Sequence, residues 1–183
     1  MAETSKALTD QEMKELLDTF IEAKAEENQY YSSTLGMRPQ PGSSATEADL
    51  QALDEYLLAK DLHAPTAYKQ FLRIYNGVEL LLYPLSLYPV SKVIGKHDFI
   101  EAMFDEHPGC RDFVIAGGGR LSGDIVAFDV KSKSSNGDYE VVWLTESGGV
   151  ERDPDFVSFL RAYLKVTEDT ITQEKADRAH LKP

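Results

Sequence analysis

Between residues 113 and 145 three strand-like runs follow one another with no room for a helix between them. They cover residues 113–116, 125–130 and 139–145. A parallel pair of strands needs a crossover of about a dozen residues or more, usually a helix. The connection at 117–124 is instead rich in glycine. The one at 131–138 is polar and carries Asn136-Gly137, a strong hairpin signal. These strands are therefore expected to form an antiparallel meander. With helical patterns on both sides of them, the chain reads as α+β. The expectation is a single domain with a central antiparallel or mixed sheet of four to six strands packed by helices, plus an N-terminal helical extension.

The helical segments have well-marked starts. Over residues 8–31, Thr9 and Glu12 are spaced as a capping box, and Leu8 and Met13 as a hydrophobic staple. Met13, Leu16, Leu17, Phe20 and Ile21 form one apolar stripe, to be buried on the main domain, on a partner helix or in a dimer. Residues 32–45 hold prolines, glycines and serines and read as a linker. Thr46 with Asp49 opens the next helix, whose buried face is Leu50, Leu53 and Leu57. In the third helix Pro65 suits the first turn, Tyr68, Phe71, Leu72 and Tyr75 share one face, and Asn76-Gly77 closes the run. A strand over 78–83 follows, then an irregular stretch over 85–95 read as a loop with room for a short strand. Asp98 is placed to cap a short helix that His107-Pro108-Gly109 ends. Asp153-Pro154 is expected to start the last helix, with Phe156, Leu160, Tyr163 and Leu164 inward. The organisation expected is an extension and linker at 1–45, the α+β domain at 46–165 and a polar tail at 166–183.

Three segments of this sequence resemble the SUKH superfamily, which includes bacterial immunity proteins against polymorphic toxins and a fungal regulator of cell-wall synthesis. The first segment is Pro65, Tyr68, Phe71, Leu72, Asn76 and Gly77. The second is the run G-G-R-L-S-G-D-I-V-A-F-D over 118–129. The third is Phe156, Phe159 and Leu160. Ala64 stands where that family usually has leucine before the proline, with Leu62 two positions earlier. The resemblance implies a SUKH-like domain over 46–165 and an immunity protein that binds a cognate toxin, expected to be a basic nuclease domain. Such a protein acts by occlusion, without catalysis and without a cofactor, as a monomer or weak homodimer in the cytoplasm. The alternative it implies is a regulatory adaptor of the fungal type, with the helix at 8–31 as its partner-binding element.

Charge bears on the partner. The chain has 31 acidic and 19 basic residues, a net charge of −12, and 19 of the acids lie within residues 46–165. A field of this sign repels nucleic-acid phosphates and anionic lipid and attracts basic proteins, although solubility alone is a sufficient reason for it. Clustering near the sheet loops singles out Asp124, Asp138, Glu140, Glu146 and Glu151, with Glu101, Asp105 and Glu106, as candidate partner-binding carboxylates. No apolar run is long enough to span a membrane, and the first ten residues lack a signal-peptide pattern.

The sequence offers no catalytic set. Cys110 is the single cysteine, which excludes an internal disulfide and a multi-cysteine zinc site. Gly117-Gly118-Gly119-Arg120 could cradle a phosphate only with a helix behind it, and a strand is expected there. His97 and Glu101 are four apart, too few ligands for a metal site, so none is assigned. There is no G-x-S-x-G elbow.

Overall fold

The computed structural model describes residues 7–31, 36–82, 85–95, 113–119, 124–133, 138–145, 147 and 149–180. In chain order these form α1 (Asp10–Glu27), β1 (Gln40–Pro41), α2 (Glu47–Leu58), α3 (Thr66–Ile74), β2 (Val78–Leu82), β3 (Leu85–Leu87), α4 (Val90–Gly95), β4 (Phe113–Gly119), β5 (Ile125–Lys133), β6 (Tyr139–Leu144), β7 (Val150–Asp153) and α5 (Phe156–His180). The strands make one antiparallel sheet in the order β1-β2-β3-β4-β5-β6-β7. Among the described residues the sheet has seven strands, not four to six. The additions are short edges without apolar alternation, β1 inside the expected linker and β7 just before the expected start of the last helix.

Both predicted capping boxes form, at Thr9 with Glu12 and at Thr46 with Asp49. Elsewhere tertiary contacts replace the local reading. Pro65 is the residue before α3, not its first turn, and the Thr66 N–H donates to Asp138 Oδ1 at 2.9 Å. Tyr75 leaves the helix in an extended conformation, and Asn76 Oδ1 accepts from the Val90 N–H at the start of α4. The stretch at 85–95 is a strand and a helix, β3 and α4. Gly117, Gly118 and Gly119 are strand residues of β4 paired with β3. A Cβ on Gly117 would lie 2.7 Å from the Ser86 carbonyl oxygen, and one on Gly118 2.6 Å from the Tyr88 hydroxyl. The glycines permit close approach of neighbours and do not form a loop for an anion. The helix expected after Asp98, and with it His97 and Cys110, lies outside the described residues, as does Arg120.

Asp155, not Asp153, caps the last helix: its Oδ1 accepts from the Ser158 N–H at 2.8 Å. That helix does not stop near 165. α5 runs on to His180, with Thr167 and Ile171 buried. It packs along α1, which also meets α3 and β2. The apolar face of α1 is therefore buried in its own chain, with Met13, Leu17 and Phe20 at most 1 % exposed. The three helices α2, α3 and α5 share one interior with the sheet, centred on Tyr68, Phe71, Phe128, Phe156 and Phe159. Tyr68 is fully buried there, and its hydroxyl donates to the Tyr88 carbonyl at 3.1 Å.

Candidate interaction surface

Successive side chains on β7 go to opposite faces of the sheet. On one face Arg152 Nη1 donates to Asp129 Oδ2 at 2.9 Å and to Glu140 Oε2 at 3.1 Å. Asp129 and Glu140 are register partners on β5 and β6, so the guanidinium sits between two carboxylates that would otherwise repel. Those hydrogen bonds, Asp129's foremost, hold the guanidinium above its usual pKa. On the other face Glu151 Oε2 accepts from the Tyr163 hydroxyl at 2.8 Å. Trp143, the register partner of Glu151, stacks on Tyr163 with ring centroids 4.4 Å apart. The Trp143 Nε1 is buried with no hydrogen-bond partner among the described residues. Burial first, then the bond to Glu151, pushes the Tyr163 phenol well above its usual range, and Asp153 and Asp124 add to this.

The four described carboxylates among those predicted, Asp124, Asp138, Glu140 and Glu151, do not gather into one patch. Asp124 and Glu151 both act on Tyr163. Glu140 belongs to the opposite face, in the pair with Arg152. Asp138 precedes β6 at the end away from Asp124, since the start of β5 pairs with the end of β6. Six strand residues separate those ends by about 20 Å. Glu101, Asp105, Glu106 and Glu146 lie outside the described residues. Three of the four described candidates thus already serve the fold, Asp138 as a cap, Glu140 in an ion pair and Glu151 as a phenol acceptor. Replacing Asp138 by Ala should cost about 1 kcal/mol, the usual worth of a helix cap, read as a lower urea midpoint.

Sequence patterning did not single out Trp143 or Arg152, contained Asp129 only within the run at 118–129, and gave Tyr163 and Asp153 only as an inward-facing aromatic and a helix start. The available signal was the aromatic at Trp143 standing two residues from Val141, which marks one face of β6. Asp153 is the acid of this region whose pKa is displaced. Burial, then Glu151 and Asp155, raise its pKa above the usual carboxylate value. The folded state therefore holds the proton more tightly than the unfolded chain does. The stability this group permits is present below the unfolded pKa and is lost as pH rises through the higher folded pKa. An Asp153→Asn variant should show a higher urea midpoint than the parent at pH 7, and the gain should vanish near pH 3.

Two recesses are lined by described residues. One of about 280 Å³ lies where the starts of α1, α3 and α5 meet, lined by Leu8, Thr66 and Val157 with Asp138, Asp155 and Arg73. The other, of about 980 Å³, lies between α1 and α5. Among the described residues no three acidic, histidine or cysteine side chains are grouped to hold a metal ion, and no helix is long and apolar enough to cross a membrane.

No protein-family model matches this chain, and no curated protein matches it. The surface of the molecule offers carboxylates held by neighbouring side chains, an aromatic pair at the end of the sheet and a groove between two helices lined by four carboxylates.

Proposed function

We propose that this protein is an immunity-type binding protein that neutralises a cognate protein toxin by covering it. The expected toxin is a basic nuclease domain, and the site of action the cytoplasm. One observation carries the reading. The first and third segments that resemble the SUKH superfamily, together with Phe128 of the second, meet in a single aromatic cluster of Tyr68, Phe71, Phe128, Phe156 and Phe159. Side chains that sit together in a core are a coherent fold signature, which supports treating the resemblance as one domain. The net charge of −12 supports a basic partner. Opposite charge raises the rate of encounter, and a protector must bind before its target acts.

The test is capture of the tagged full chain from its own cells, identification of the protein that co-purifies, and expression of that protein alone. It should arrest growth, and co-expression of this chain should restore growth. A captured protein that is harmless by itself overturns the reading. Deleting residues 1–45 is not a clean way to distinguish the adaptor role from this one. The deletion would remove Met13, Leu17, Phe20 and Ile21 from the core.

A further inference from the structure

We propose that the groove between α1 and α5 is the docking surface for a basic, amphipathic segment of a protein partner. This deepens the reading above and rests on it. α1 and α5 run parallel. Lys175 pairs with Glu26, and Arg178 donates to the Tyr30 carbonyl at 3.0 Å, so the last turns of both helices lie together. The negative ends of two helix dipoles then face the same way, which favours cations at that end. Between the helices, with Gly36, Met37 and Arg38 along one side, the groove encloses about 980 Å³.

Its lining suits one kind of occupant. Asp18, Glu22, Glu26 and Glu168 bring four carboxylates, and Arg38 is the one cation among the described lining residues. Three of the carboxylates hold ion pairs, Asp18 with Lys14, Glu22 with Arg38 and Glu26 with Lys175. The partners in all three pairs are between 45 % and 63 % exposed. Pairs so open to water contribute little, so an incoming lysine or arginine can replace the internal cation at small cost. The apolar lining is Ala23, Ala25 and Ile171, the last two buried, with Met37, which is 38 % exposed. Methionine adapts to differently shaped apolar side chains. Nucleic acid would meet carboxylates here, and so would a second copy of this acidic chain, so charge disfavours both. The sheet-loop acids compete poorly for the same role, because Asp138, Glu140 and Glu151 are divided between two faces and two ends of the sheet and do not converge.

The test uses the full chain and a fluorescein-labelled helical peptide with lysines along one face and leucines along the other, read by anisotropy at low salt. The paired substitution Glu22→Lys with Glu168→Lys should weaken binding at least tenfold. A charge-matched control, Glu55→Lys with Asp169→Lys, should change it less than twofold, and the same peptide with glutamates for lysines should not bind. Thermal melts establish that each variant is folded, and Glu22→Gln with Glu168→Gln should give a smaller loss in the same direction. Equal weakening by the groove pair and the control pair overturns the groove, since only overall charge then matters. Loss of binding with Asp124→Lys and Glu151→Lys, but not with the groove pair, also overturns it while leaving a basic partner standing. A parent protein that ignores the lysine peptide sinks the groove, and one that binds it only as a self-associated dimer, seen by light scattering, does the same.

Discussion

Replacing Phe156 by Ala should lower the stability of the protein by about 3–5 kcal/mol, the range for truncating a well-packed core aromatic. Phe156 is 1 % exposed, and its ring lies 5.3 Å from Tyr68, 5.5 Å from Phe71 and 6.0 Å from Phe128. It is the first residue of α5, directly after the Asp155 cap, so it joins that helix to α3 and to β5 at one point. The cavity left by its ring is bounded by other rings, which cannot collapse into it without breaking their own edge-on contacts. Since a domain has only about 5–15 kcal/mol in hand, this loss removes a large share of it. Urea unfolding with an unchanged slope is the measurement. The comparison is Val150→Ala on β7, where the side chain is 56 % exposed and the change should stay within about 0.5 kcal/mol. A loss below 1 kcal/mol for Phe156→Ala would mean that the aromatic cluster is not packed as described.

The second large effect is expected at Gly77, where an alanine should cost at least about 2 kcal/mol. Gly77 has φ +86°, and a Cβ there would lie 2.7 Å from the Pro89 nitrogen and 3.0 Å from the Leu87 carbonyl oxygen. Both are backbone atoms: Leu87 is paired with Val78 and Gly117, and Pro89 directly follows Tyr88, whose N–H donates to the Ala116 carbonyl, so they cannot retreat as a flexible side chain would. Gly36 separates the two causes. It has φ +78° with no described residue within 4 Å of a built Cβ, so Gly36→Ala should show the left-handed penalty alone, about 1–2 kcal/mol. The difference in urea midpoint between the two variants measures the close approach. Equal losses would show that the chain next to Pro89 yields.

The elements whose causes are local were legible before any coordinates. Thr9 with Glu12 and Thr46 with Asp49 are complete signals, because each cap lies within four residues of its partner. The elements that failed have distant causes. The glycines at 117–119 look like a loop in isolation, and only the Ser86 carbonyl and the Tyr88 hydroxyl explain why β4 excludes side chains there. β1 is two residues long and carries a proline, so no periodicity can announce it. The continuation of α5 was within reach. Leu160, Leu164, Thr167 and Ile171 recur at helical spacing, but admitting Thr167 as a buried position breaks the usual polarity rule. The candidate surface was the least legible. Counting carboxylates locates charge, yet whether Asp138 faces a partner or the Thr66 N–H depends on a contact 72 residues away.

The packing of α1 along α5 has a consequence for synthesis on the ribosome. The strands between them pair in sequential order, so each hairpin can close as it emerges from the exit tunnel. The apolar face of α1 cannot complete its contacts until α5 follows, more than a hundred residues later. At roughly 5–20 residues per second that interval is about 6–26 s. For that time a nascent polypeptide presents Met13, Leu17, Phe20 and Ile21 without their final cover. Chaperone binding to ribosome-stalled chains should therefore persist until α5 has cleared the tunnel.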